Sequence, residues 1–219
     1  MANAVGNIEQ MGGWTACTAQ LPDGMPCASG LGNAAYSMTQ HMPIPSRDGH
    51  STQFSISGPT GYSNVLWWNQ LTPAPSASHF VYDFWVYVTE SNAPQALEFD
   101  LNQTFGGTKY IFGTECNFKG TGVWDVWDGR EGKWVPSPVG CVPFAANSWT
   151  HVAWTFERAN GQVHYVSIAI NGTTYPVNMW QAPQANVDAQ ELNVAVQLDG
   201  NSRQQPYSIW IDDMSLSYD

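Results

Sequence analysis

A period of two limits this chain more than anything else in it. Apolar and polar residues alternate in "TQFSISG" (Thr52–Gly58), "HFVYDFWVYV" (His79–Val88), "THVAWTFERA" (Thr150–Ala159), "QVHYVSIAI" (Gln162–Ile170), "ELNVAVQLDG" (Glu191–Gly200) and "YSIWIDDMSLSY" (Tyr207–Tyr218). Such alternation gives a strand one face for the core and one for water. No segment holds a 3.6-residue period for three turns, and the one weak helix candidate lies near Asn186–Gln190. Gly, Pro and Asn interrupt the pattern, and Asn160-Gly161 suits a tight hairpin turn. The expected fold class is therefore all-β, a two-sheet antiparallel β-sandwich. "TPAPSAS" (Thr72–Ser78) has strands on both sides and reads as a loop. Residues 1–219 read as one domain with a loop-rich N-terminal segment of about residues 1–50.

Charge narrows the partner. Charged residues are 11% of the chain and the formal charge is −11, with seven Lys and Arg. Nucleic acid and anionic membranes are repelled by that balance. Acidic polysaccharides are disfavoured as well, because few cations exist to meet uronates. A neutral or cationic partner fits better. Eleven Trp are an excess for one domain. Some must fill the core, and others suit stacking on the C–H faces of sugar rings. Cys17, Cys27, Cys116 and Cys141 form an even set without C-x-x-C spacing, which predicts two disulfides in a secreted or periplasmic protein. The nearest-neighbour pairing is Cys17–Cys27 and Cys116–Cys141, with two other pairings open. No apolar run reaches membrane-spanning length, and no signal peptide is visible, so Met1 reads as the start of a trimmed chain.

"NSWTHVAWTFERANGQVHYVSIAINGT" (Asn147–Thr173) resembles the central hairpin of laminin-G-like domains in the concanavalin A-like lectin/glucanase superfamily. "YSIWIDDMSLSY" resembles the last strand of that jelly roll. The resemblance implies a concanavalin A-like jelly roll and a structural role for His151. It leaves function open, since the superfamily holds lectins, binding modules, hydrolases and lyases.

The stretch "ALEFDLNQTFGGTKYIFGTECNF" (Ala96–Phe118) carries the candidate chemistry. Leu97, Phe99 and Leu101 alternate with Glu98, Asp100 and Asn102, so the acids share the solvent-side face. A two-residue turn at Gly106-Gly107 sets Leu101 opposite Phe112, Phe99 opposite Thr114, and Leu97 opposite Cys116. Glu98 then opposes Glu115, with Cβ atoms about 4.5–5.5 Å apart. Two acids so close destabilise a sheet unless one keeps its proton. Retaining glycosidases use two carboxyls about 5–5.5 Å apart, one as nucleophile and one as acid/base. A one-residue slip would send Glu115 elsewhere. "EFDLNQ" (Glu98–Gln103) also resembles the E-x-D-x-x-E strand of laminarinase- and lichenase-like enzymes, which implies Glu98 as nucleophile and Asp100 as its assistant. Gln103 stands where that motif has its acid, and Gln cannot donate a proton. Either Glu115 supplies the acid, as in jelly-roll endoglucanases that draw two Glu from separate strands, or the site binds sugar without cleaving it.

Further candidates surround this pair. In "GTGVWDVWDGREGKWVP" (Gly120–Pro136), Trp124, Trp127 and Trp134, with Asp125 and Asp128, either wall a cleft or pack on the sheet edge. Gln197 and Asp199, with Asn193, alternate with apolar neighbours and belong on the polar face, as does Asn102, and Gln103 is a further sugar-binding candidate. Trp85 belongs either there or on the convex face. No cofactor is required. A structural Ca²⁺ at Asp128 and Glu131 is the one metal raised, although the spacing is not that of a calcium loop. The leading expectation is a monomeric, endo-acting retaining glycoside hydrolase on a neutral β-glycan. A noncatalytic binding module or lectin is the alternative. A polysaccharide lyase, using Tyr110 or His164, is third because cations are scarce.

Overall fold

The alternating segments become strands because only a sheet gives every second side chain a common core face. A computed structural model describes residues 3–18, 34–185 and 189–219. Its strands are β1 (Asn3–Val5), β2 (Thr15–Cys17), β3 (Ala35–Met42), β4 (Ser51–Ser57), β5 (Asn64–Gln70), β6 (His79–Val88), β7 (Pro94–Phe105), β8 (Thr108–Phe112) and β9 (Thr114–Cys116). They continue with β10 (Val123–Asp128), β11 (Lys133–Gly140), β12 (Trp149–Ala159), β13 (Gln162–Ile170), β14 (Thr173–Gln181), β15 (Gln184–Ala185), β16 (Glu191–Gly200) and β17 (Tyr207–Tyr218). Among the described residues the only helical element is a single 3-10 turn, Ile8–Gln10. The weak helix candidate at Asn186–Gln190 falls largely outside the described residues.

Two antiparallel sheets face each other. The first runs β14-β13-β12-β6-β17-β4-β3, with β1 added on β17. The second runs β11-β10-β9-β7-β16-β5-β2, with β8 paired to β7 and β15 to β8. Phe80, Tyr82, Phe84 and Val86 of β6 point inward and are fully buried, as are Leu97, Phe99 and Leu101 of β7. Phe84 meets Phe99 at 4.4 Å between ring centroids, and Phe80 meets Phe112 at 5.5 Å. Each such side chain contributes about 1.5–3 kcal/mol by leaving water. The result is an antiparallel β-sandwich with one continuous core.

The Gly106-Gly107 turn sets the pairing of the strands on either side of it. Both glycines have positive φ, 59° and 79°, as a tight two-residue turn of this hand requires. The hairpin closes with Phe105 opposite Thr108, and Leu101 lies opposite Phe112. The same register carries across the short break at Gly113 to place Leu97 opposite Cys116 and Glu98 opposite Glu115. Gly113 itself has no room for a side chain, because an added Cβ would lie 2.9 Å from Cβ of Trp127.

Cys116 is bonded to Cys141, tying β9 to the residue just after β11. Cys17 ends β2, and its expected partner Cys27 lies outside the described residues. Loop-closure entropy over a 25-residue separation corresponds to about 3.5 kcal/mol. We expect Cys141→Ala to lower the unfolding free energy by roughly that amount in a urea titration. An unchanged midpoint would mean that the sandwich holds β9 without the bridge.

Candidate active site

On the outer face of the second sheet, one cross-strand row runs over four strands. Gln197 of β16 opposes Glu98 of β7, Glu98 opposes Glu115 of β9, and Glu115 opposes Asp125 of β10. Three acids therefore stand in adjacent positions at strand spacing. Asp100, two residues along β7, opposes Ala195 of β16, and Asp199 of β16 opposes Asn64 of β5. Nothing in a core-driven fold requires this arrangement, and like charges directly opposite one another weaken a sheet.

Local hydrogen bonds hold most of these groups. The Gln197 amide donates to Oε1 of Glu98 and, at 3.1 Å, to Oδ1 of Asp199. The Thr114 N–H donates to Asp100 at 3.1 Å. Asp125 accepts from Nδ2 of Asn117 at 3.0 Å and from the Thr121 hydroxyl at 2.9 Å. Glu115 differs. It is only 7% exposed, yet its carboxyl accepts no hydrogen bond from any described residue and lines the cleft.

Burial dominates the acidity of the group. It pushes Glu98 well above the usual carboxyl range, with the charges of Asp199, Asp100 and Glu115 adding to the rise. It raises Glu115 to about 8, helped by Asp199, Asp125 and Asp100. Asp100 is raised to about 7 by burial, against a lowering from the Thr114 N–H. Burial also raises Asp199 to about 6, against hydrogen bonds from Asn64, Glu98 and Gln197. Burial thus favours the protonated form of both Glu98 and Glu115 in the free protein.

Stability must then fall as pH rises. Each of these acids holds its proton to a higher pH when folded than when unfolded. Its contribution is complete below the unfolded value, near 4, and is lost as pH rises through about 6 to 8. We expect the urea midpoint to be lower at about pH 8.5 than at about pH 4.5. A midpoint that rises over that interval would contradict the burial of the acids.

The cleft over the row has a volume of about 240 Å³. Its lining includes Glu98, Glu115, Asp199, Asn64, Asn117 and two aromatic residues, Tyr62 and Trp134. Tyr62 is 53% exposed and Trp134 is half-buried. A larger groove of about 450 Å³ lies on the first sheet beside Tyr36, Ser55 and Ser208, with Glu90 as its one acid.

Several expected site residues lie elsewhere. Trp124 is not a stacking platform. It is 1% exposed and packs edge-on against Trp154 at 5.6 Å inside the core. Gln103 also faces inward, where its amide donates to the carbonyls of Ala74 and Ala77. Trp85 is on the outer face of the first sheet, under the Arg47 guanidinium at 3.5 Å and stacked on His151. Trp127 shares the acid face but packs edge-to-face on Trp134, 5.1 Å away. Asn102 is on the acid face and donates to Asn193 at 3.0 Å. Gln197 and Asp199 join Glu98 directly. His151 pairs with Asp83 at 2.9 Å on the other sheet, and His164 pairs there with Glu157 at 3.0 Å. Tyr62, Asn64 and Asn117 are cleft residues beyond those the sequence suggested. The Asp128–Glu131 turn is closed by backbone N–H groups of Arg130 and Glu131 on Asp128. The acids whose oxygens do gather are Asp48, Asp212 and Asp213.

The fold and this site define a two-sheet antiparallel β-sandwich of jelly-roll type with an acid-floored cleft on one sheet. No family profile and no curated protein matches the chain. Solved structures do match it. One is "Cellulose induced protein, Cip1", at 14% identity and TM-score 0.56 over 97% of this chain and 96% of that one. Another is an endo-β-1,4-glucuronan lyase from the fungus Trichoderma reesei, at 12% identity and TM-score 0.54 over 92% and 94%. A third is arcelin-5, a lectin-like defence protein of Phaseolus vulgaris, at 12% identity and TM-score 0.53 over 100% and 98%. At these identities the likeness is one of fold.

Proposed function

We propose that this protein is a carbohydrate-active protein of the secreted or periplasmic space, acting as a monomeric, endo-type retaining glycoside hydrolase on a neutral β-glycan. The observation that carries this reading is the direct opposition of Glu98 and Glu115 in the floor of a cleft. A retaining mechanism needs one carboxyl to attack the anomeric carbon and another to protonate the leaving oxygen. Glu98, fixed by Gln197, is the nucleophile in this scheme, and Glu115 is the acid/base. Asp100 tunes the pair. Tyr62 and Trp134 flank the sugar ring. The structurally similar proteins include one induced by cellulose, one lyase and one lectin-like protein, which supports glycan handling more broadly than it supports hydrolysis. The disulfide supports an oxidising compartment. Reducing-sugar release across neutral glycans, with Glu98→Gln beside the wild type, tests the reading. Glycan binding without release in either protein would make this a binding module.

A further inference from the structure

The cleft contains acids from three strands of the sheet and, among the described residues, no opposing cation. Lys, Arg and His are all absent from its lining. The titratable groups acting on Glu115 are Asp100 of β7, Asp125 of β10 and Asp199 of β16, and Glu98 faces it from β7. Lys109 acts on Asp100 alone, and its ammonium lies 3.9 Å from Glu191. Buried acids gathered without a cation usually mark a metal site or a place for a positive ligand. The metal alternative is weak here. Oxygens of three acids converge within 4.8 Å only at Asp48, Asp212 and Asp213 among the described residues, which is not at this cleft.

A second observation points to the ligand. Glu115 is more than nine-tenths buried, and its carboxyl, directed at the cleft, accepts no hydrogen bond from any described residue. Its neighbours in the row, Glu98 and Asp125, are both held by donors. An N⁺–H donor from a ligand would complete it, and a charge-assisted hydrogen bond in a low-dielectric floor is the stronger kind. The space suits one ring. About 240 Å³ corresponds to roughly eight waters at about 30 Å³ each. Tyr62 and Trp134 provide aromatic surface for the C–H face of a pyranose.

We infer that this cleft selects an amino sugar, a glycan unit whose free ammonium meets Glu115 at the acid floor while its ring packs between Tyr62 and Trp134. This rests on the reading above that the cleft handles a glycan, and it replaces the neutral substrate of that reading with a cationic one. The ligand would also supply what the mechanism lacks. Burial raises the carboxyls of both Glu98 and Glu115, and a nucleophile must lose its proton. An ammonium lowers the proton affinity of carboxyls beside it. A glycan carrying one therefore favours loss of one proton from the pair as it binds, leaving the other carboxyl to serve as the acid.

The test compares three probes on the whole protein at low ionic strength: a glucosamine tetramer, its fully N-acetylated counterpart, and cellotetraose. Binding to wild type is read by calorimetry, and product release is read separately. The expected result is that the glucosamine tetramer binds at least tenfold more tightly than either neutral probe. Glu115→Gln should remove most of that preference and keep the weaker neutral binding. Glu90→Gln, which deletes the same charge from an exposed position in the connection between β6 and β7, beside the groove on the other sheet, should leave the preference intact. Equal affinity for the three probes overturns the inference, even if cellotetraose is hydrolysed and the glycosidase reading survives. A preference lost equally in Glu90→Gln also overturns it, because attraction to the net charge would then explain the result. A preference confined to Glu115, with no hydrolysis of any probe, supports it while removing the hydrolase. The N-acetylated probe on wild-type protein keeps the test decisive should Glu115→Gln fold poorly.

Discussion

Glu98→Gln and Glu115→Gln should each reduce turnover by at least a thousandfold while leaving glycan binding largely in place. Gln keeps the shape of Glu but neither attacks an anomeric carbon as a carboxylate nor returns a proton. Removing one member of a unit that acts together costs nearly as much as removing both. The double variant should therefore be scarcely slower than either single one. The wild-type pH profile should be bell-shaped and displaced upward. With Glu115 near 8 and Glu98 raised well above its usual range, one proton must leave the pair before a nucleophile exists. On a neutral glycan, activity should climb from pH 6 to about 8 and fall when the second proton goes. An optimum near pH 5 would mean that an acid outside this pair does the chemistry.

Trp124→Ala should cost about 3–5 kcal/mol, a fall in melting temperature on the order of 10 °C for a chain of this size. Trp124 is enclosed by Trp154, Phe144 and Phe99, so its removal leaves a cavity that those rings cannot refill. Glycan affinity of the folded fraction should not change. Trp127→Ala removes a half-buried ring from the sheet's outer face and should cost much less. Weakened binding with an unmoved melting temperature in Trp124→Ala would return that ring to the cleft.

The two tryptophans show which part of the site was legible in the sequence. Residues 124 and 127 differ by an odd number, so a single regular strand cannot present both to one face. The same parity sends Gln103 inward when Glu98 and Asp100 point outward. Strand periodicity predicted the facing of Glu98, Asp100 and Asn102, and counting outward from the Gly-Gly turn predicted the partner of Glu98. Those are local facts. Strand order is not local. That β16 lies between β7 and β5, delivering Asp199 and Asn64 to the same cleft, depends on connections dozens of residues long. Tyr62 enters from the loop before β5, at a positive φ of 60° that the sequence does not announce. Trp85 was ambiguous for a related reason. Alternation gives its face relative to β6, but not which sheet β6 joins.

The bridge at Cys116 lies one residue from Glu115. β9 is only three residues long, and without the bridge its hold on the sheet comes from its pairing with β7 and β10 alone. Protein made in a reducing cytoplasm would keep its core and its spectrum, yet present Glu115 on a strand that has lost one of its ties. Batches that look identical by size and circular dichroism should then differ in specific activity with their oxidation history. Thiol content, measured beside every assay, would become the first measure of sample quality.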